Sequence, residues 1–242
     1  ASTVLQWLEA TLPAGGTQVA GTTGMAGGTS VASESASAAD AIAATDVPMI
    51  FDALDARHTD PSVASVDMSK DQAISWAQLS HVVDAIALSL QEEGLKRGDR
   101  VSLLIPPGNN LTAAAYAVLK AGGVVVVADA GLGAAGMTRA VKASDPQWII
   151  GEVPGLTLAR GAGWPGRRIS VTPLNALTRR LLGVETSMTE MSRRWVKSHE
   201  KIQTPRLDDD AAVLFTSGST GPAKGVRYTH RALGALATVL KR

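Results

Sequence analysis

Short apolar runs alternate along the chain with longer segments in which apolar residues recur at helical spacing. The apolar runs predict buried strands at residues 101–105, 124–128, 148–150, 168–171 and 211–215. Between them the clearest helix carries an apolar face formed by Leu79, Val82, Val83, Ile86 and Leu90. Further helices are predicted at residues 50–54, 112–121, 137–143 and 231–240, and two short strands at residues 62–66 and 71–76.

The composition of the strands predicts the fold. Their residues are apolar almost throughout instead of alternating with polar ones, which is typical of strands covered on both faces. Strands and helices also follow one another in turn, as they do in proteins built on a parallel sheet. We therefore predict an α/β fold with a mostly parallel sheet and helices on both of its faces.

The first 46 residues differ from the rest of the chain because Ala, Gly, Ser and Thr dominate them. Small side chains bury little area, so ordering such a segment costs more free energy than it returns. The composition predicts a flexible low-complexity leader at residues 1–46, followed by a folded part at residues 47–242.

Composition and charge narrow the classes of function. The 242 residues include no cysteine, which excludes disulfides, thiol nucleophiles and cysteine-ligated metal centres. The formal net charge is +1, and few aromatic residues accompany the arginine pairs between residues 155 and 206, so no nucleic-acid partner is expected. No apolar run approaches the roughly 20 residues of a transmembrane span. Because no Lys or Arg precedes Arg57, an export signal is not expected either, and we predict a cytoplasmic protein.

One glycine-rich segment has the spacing of a dinucleotide-binding loop. Gly131, Gly133 and Gly136 match G-x-G-x-x-G, after a predicted strand and before a predicted helix. Asp129 weakens this interpretation because it brings a negative charge to the point where the strand would meet a phosphate. A dinucleotide-binding oxidoreductase domain is therefore one open alternative.

A second glycine-rich segment follows the predicted strand at residues 211–215. It combines hydroxyl side chains, glycines and a lysine: Thr216, Ser217, Gly218, Ser219, Thr220, Gly221 and Lys224. Glycines allow several backbone N–H groups to converge on an anion, hydroxyls donate hydrogen bonds, and a lysine adds positive charge. The pattern predicts a phosphate-binding loop, which an enzyme or a non-catalytic phosphate-binding module could use.

This second segment resembles the signature of the adenylate-forming superfamily, which includes acyl-CoA synthetases, luciferases and peptide-synthetase adenylation domains. It matches every fixed position of the family's T-S-G-[ST]-T-G-x-x-K-G. Residues 94–101 and 117–123 are similar to the family's G-x-x-x-G-D-x-V and L-K-A-G segments, in the same order. The resemblance runs from about Pro48 to the end of the chain, and it favours the fatty-acyl ligase branch, near the β-lactone synthetases of olefin biosynthesis.

The resemblance implies a two-step reaction. A fatty acid or other carboxylate attacks the α-phosphate of ATP, pyrophosphate leaves with Mg²⁺, and the acyl-adenylate passes to a thiol such as coenzyme A. The full-length protein would then be an acid–thiol ligase of the long-chain fatty-acid–CoA ligase type. The seven loop residues from Thr216 to Lys224 would hold the β- and γ-phosphates, and no protein side chain is assigned to the metal. His230 either neighbours the acyl site or faces solvent at the start of the last helix.

The later motifs of the superfamily have no counterpart in this sequence. Residues 47–242 are therefore interpreted as an incomplete N-terminal adenylation subdomain that ends just after the phosphate-binding loop. No catalytic residue is assigned within it, and the chain alone is expected to be inactive. Uncovered apolar faces and strand edges predict that it self-associates as a dimer.

Overall fold

The computed structural model describes residues 47–67, 71–128, 132–193, 202–216 and 224–240, so the predicted leader at residues 1–46 lies outside the described residues. The helices are α1 Asp52–Asp55, α2 Trp76–Glu92, α3 Asn109–Lys120, α4 Gly133–Ser144, α5 Val153–Gly161, α6 Ala176–Leu182, α7 Met188–Arg193 and α8 His230–Leu240. The strands are β1 Val63–Asp67, β2 Gln72–Ser75, β3 Arg100–Leu104, β4 Val124–Ala128, β5 Trp148–Gly151, β6 Arg167–Ser170, β7 Val184–Ser187, β8 Asp210–Thr216 and β9 Lys224–Thr229.

The described strands form two sheets. β1 and β2 make a separate antiparallel pair, and the other strands form a seven-stranded sheet in the order β7-β6-β5-β3-β4-β8-β9. Every neighbouring pair in the large sheet is parallel except β8 and β9, which are antiparallel. The chain starts in the middle of this sheet at β3, moves outward to β4, and crosses back to β5. The carboxyl ends of β3, β4 and β8 therefore lie side by side at one edge.

Both faces of the large sheet are covered, as the apolar strands predict. Side chains alternate between two cores along a strand: in β5, Ile150 packs into the larger cluster with α2 and α3, whereas Ile149 packs with α4, α5 and Trp164. In β4, Val125 packs into the larger cluster, whereas Val126 packs with Ala140 of α4. The α/β fold, with a mostly parallel sheet between two layers of helices, is confirmed.

Side-chain hydrogen bonds fix the turn before α2 and the turn before β3. Ser75 caps α2, because its Oγ accepts a hydrogen bond from the Gln78 backbone N–H at 3.2 Å while the Gln78 side chain accepts one from Ser75 N–H at 3.0 Å. Asp99 accepts hydrogen bonds at Oδ2 from Lys96 N–H at 3.0 Å and from the Trp148 indole N–H at 3.1 Å. These contacts fix the turn that leads into β3 and join it to β5.

Candidate functional site

The candidate site lies where β8 ends at the carboxyl edge of the parallel sheet. β8 is hydrogen-bonded to β4 on one side, with Ala128 opposite Phe215, and to β9 on the other. The last registered pair between β8 and β9 joins Thr216 to Lys224. The backbones of β8 and β9 are therefore paired at both ends of residues 217–223, which lie outside the described residues.

The structure describes the ends of the predicted phosphate-binding loop. Thr216 is the last residue of β8 and Lys224 the first of β9. Ser217, Gly218, Ser219, Thr220 and Gly221 lie outside the described residues. Their roles, like those of Thr216 and Lys224, stay predictions.

Gly225, the residue after Lys224, lies against an aromatic ring. It pairs with Phe215 across the two strands, and a Cβ on Gly225 would meet Phe215 Cε1 at 2.9 Å and Cζ at 3.0 Å. Gly225 is the last fixed position of the signature, whereas Phe215 had no role predicted from the sequence. The signal that could have found their contact is an aromatic residue just before the hydroxyl-rich segment and a glycine just after it.

The glycines of the other candidate loop have structural explanations where they are described. Gly133 opens α4 with a φ of +64°, a conformation that side chains other than glycine rarely adopt. At Gly136, an added Cβ would meet Leu132 Cβ at 2.9 Å, so a larger residue would displace the Leu132 side chain. Asp129 and Gly131 lie outside the described residues. Neither described glycine requires a dinucleotide to account for it.

His230 is fully buried, so the expectation that it faces solvent is wrong. Its exposed fraction is 0%, and its ring contacts the edge of Phe51 with the ring centroids 6.2 Å apart. Residues 47–55 fold over the start of α8, which the periodicity around His230 could not reveal. The structure does not bring this side chain to the loop: His230 follows Thr229, which pairs with Asp210 at the opposite end of β8.

The environment of His230 opposes its positive charge. Within the part of the chain that the structure describes, neither Nδ1 nor Nε2 has a hydrogen-bond partner. Burial lowers the pKa of His230 to about 4, and the negative charge of Asp209 opposes that shift only in part. The imidazole is therefore neutral at physiological pH, and it acts as a packing residue of α8.

Comparison with known proteins assigns the chain to a family. The family model described as AMP-binding enzyme matches residues 52–241, which is most of the chain. The chain belongs to the AMP-binding enzyme family. An olefin beta-lactone synthetase from Xanthomonas campestris pv. campestris is 33% identical over 162 residues, which cover 66% of this chain and 28% of that protein.

Solved structures of this family share the fold. The adenylation domain of a carboxylate reductase from Mycobacterium chelonae matches with a TM-score of 0.64 at 17% identity, over 95% of this chain and 38% of that one. An anthranilate CoA ligase, AuaEII, in complex with anthranoyl-AMP matches with a TM-score of 0.63 at 17% identity, over 78% of this chain and 36% of that one. The chain thus spans less than half of the length of each of these proteins.

The described glycines at 133 and 136 serve the backbone and packing of α4, and the family that matches the chain is described as AMP-binding enzyme. The dinucleotide-binding alternative is therefore set aside. Among the helices in the described part of the chain, none is both long and apolar enough to cross a membrane.

Proposed function

We propose that this chain is the phosphate-binding part of an ATP-dependent acyl-activating ligase. A carboxylate oxygen of the substrate attacks the α-phosphorus of ATP, the bond from that phosphorus to the bridging oxygen of the β-phosphate breaks, and pyrophosphate leaves with Mg²⁺. The resulting acyl-adenylate then transfers its acyl group to a thiol such as coenzyme A, and AMP leaves.

One observation carries the proposal: the loop with the family's signature is closed by paired strand ends at the carboxyl edge of a parallel sheet, beside β4. Open α/β sheets bind nucleotides at this edge. In the proposal, the loop residues bind the β- and γ-phosphates through N–H groups, hydroxyls and one ammonium group: Thr216, Ser217, Gly218, Ser219, Thr220, Gly221 and Lys224. Phosphoryl chemistry of this kind depends on positioning and on neutralising charge, which these groups supply.

The substitution Lys224→Ala tests the phosphate-binding role. Losing a charge-assisted hydrogen bond costs about 1.5–3 kcal/mol, so the affinity for Mg²⁺–ATP should fall roughly 10- to 100-fold. Isothermal titration calorimetry measures this loss, and Lys224→Arg should recover part of it. The matched control is Lys142→Ala, which removes the same charge from the exposed end of α4. Equal affinities for Lys224→Ala and the unsubstituted protein would contradict the proposal.

The substrate in this proposal is a fatty acid, and the acceptor is coenzyme A or a hydroxyl of the substrate itself. Similarity to an olefin beta-lactone synthetase supports including the second acceptor. The test is ATP–pyrophosphate exchange by the complete enzyme with a panel of straight-chain, β-hydroxy and aromatic acids. Exchange only with aromatic acids would contradict the fatty-acid assignment, and acyl-CoA formation would distinguish the two acceptors.

We also propose that the 242-residue chain binds ATP without catalysing exchange. The chain matches only 28% of the length of the olefin beta-lactone synthetase. Exchange by this chain alone would contradict this expectation. Exchange by no form of the protein would instead favour the non-catalytic phosphate-binding module. We also propose a cytoplasmic location, because the reaction consumes ATP. Self-association as a dimer is a separate proposal, which the exposed Leu177 and Leu181 support.

A further inference from the structure

Phe215 lies at the carboxyl edge of the sheet, opposite Ala128 at the end of β4 and one residue before the end of β8. Its exposed fraction is 8%, and it is the last described buried side chain of β8 before the phosphate-binding loop. We propose that Phe215 is a positioning residue: its ring sets the start of β9, where Lys224 lies, relative to the start of α4. This inference rests on the proposed function, because it assigns the ring a role in holding the loop that binds ATP.

The first contact of the ring is with the strand that leaves the loop. Phe215 and Gly225 are registered partners, and the space that a Cβ of Gly225 would occupy is already filled by Cε1 and Cζ of the ring. Val213 Cγ1 would lie 3.2 Å from the same Cβ. Because the ring is buried, it cannot rotate away at low cost. Only glycine at 225 therefore leaves room for the ring beside the backbone next to Lys224.

The second contact is with the helix that follows β4. Phe215 shares a buried cluster with Val126 and Ala140, against which the partly buried Leu132 also packs. Leu132 immediately precedes α4, and its side chain occupies the space above Gly136. The ring thus lies in the same buried cluster as a residue of α4, and the residue before α4 packs against that cluster.

These two contacts fix one ring from both sides, so the start of β9 and the start of α4 share a common support. A binding loop whose ends are held before the ligand arrives loses less conformational entropy on binding. Phe215 contributes affinity in this way without touching the nucleotide, which separates it from the residues that donate to phosphate.

The test begins with Phe215→Leu in the 242-residue chain, titrated with Mg²⁺–ATP and with Mg²⁺–pyrophosphate. The smaller side chain leaves the Gly225 contact unfilled, and we expect roughly tenfold weaker binding of both ligands. The control is Val126→Ala, which removes two methyl groups from the same cluster on β4 and leaves the Phe215–Gly225 pair itself unchanged. It should lower the melting temperature to a similar degree yet bind both ligands with unchanged affinity.

A double-mutant cycle separates positioning from general loss of stability. Gly225→Ala introduces a Cβ into the ring and should weaken binding by a similar factor, whereas the Phe215→Leu/Gly225→Ala double variant should bind better than the product of the two single losses, because leucine leaves room for the Cβ. Should Phe215→Leu fail to fold, Phe215→Met takes its place. Additive losses, or a loss no greater than that of Val126→Ala, would overturn the inference. If the unsubstituted chain binds neither ligand, the proposed function itself fails.

Discussion

The described part of the structure contains a histidine whose ring makes no hydrogen bond inside a packed core. His230 lies beneath Phe51 with both ring nitrogens unpartnered. A buried polar atom without a partner costs about 1–3 kcal/mol. The His230 ring fills space in the core, but its unpaired nitrogens lower the stability of the fold. His230→Leu should therefore leave stability at neutral pH unchanged or raise it.

The same residue predicts how stability depends on pH. An exposed histidine in the unfolded chain takes up a proton near pH 6.5, whereas folded His230 stays neutral until about pH 4. As the pH falls between these values, protons bind the unfolded state preferentially, and the fold loses up to about 3 kcal/mol that is fully present above pH 6.5. Below pH 4 this residue causes no further loss.

Urea unfolding at a series of pH values between 4 and 7 measures the effect. His230→Leu should flatten the curve in this range. An unchanged slope in His230→Leu would show that other groups carry the acid sensitivity.

At the scale of elements, the strands that are apolar throughout could be predicted from the sequence. β4 was predicted at the residues it occupies, Val124–Ala128, and α8 begins one residue before its predicted start. β7 and β9 were missed because they are edge strands in which polar and exposed residues interrupt the apolar pattern. The loop was predictable from its glycines and hydroxyls, but its closure by β9 was not, because strand register depends on pairing between segments. The burial of His230 likewise depends on contact with a distant segment.

Lys120 shows how three helices are held together beneath the sheet. Its side chain is 7% exposed, and its Nζ donates hydrogen bonds to Asp55 Oδ1 of α1 and, at 2.6 Å, to Asp84 Oδ1 of α2. Burial alone would disfavour its charge, but the two carboxylates outweigh that effect and raise the pKa of Lys120. Lys120, the lysine of the segment that resembles the family's L-K-A-G, therefore links three helices through two ion pairs.

The substitution Lys120→Met tests how much these two ion pairs contribute to stability. Methionine fills the apolar part of the space but leaves two neighbouring carboxylates without their cation, and since both are partly exposed we expect a loss of about 1–3 kcal/mol in the free energy of unfolding. Denaturant titration measures it, with Lys142→Met on the exposed side of α4 as the control. The triple variant Lys120→Met/Asp55→Asn/Asp84→Asn should recover much of the loss, and failure to do so would contradict the ion-pair explanation.

At the scale of the whole molecule, an apolar patch borders the β7 edge of the sheet. Leu177 and Leu181 stand one helical turn apart on α6 with exposed fractions of 69% and 63%. Beside them, Arg179 pairs with Glu190 and donates to the Glu185 carbonyl, so polar groups rim the patch. Apolar surface framed by polar side chains is typical of an interface.

We expect two copies of the chain to associate through this patch. Light scattering coupled to gel filtration should then give twice the 25.0 kDa of one chain, and Leu177→Glu/Leu181→Glu should return the mass to that of a monomer because it buries charge in the interface. The control is Val226→Lys on β9, which charges the other edge of the sheet, where Val226 is 45% exposed. A monomer at all concentrations would contradict self-association. A dimer broken by Val226→Lys but not by the leucine substitutions would instead locate the contact at β9, because a charged side chain on an edge strand prevents pairing between sheets.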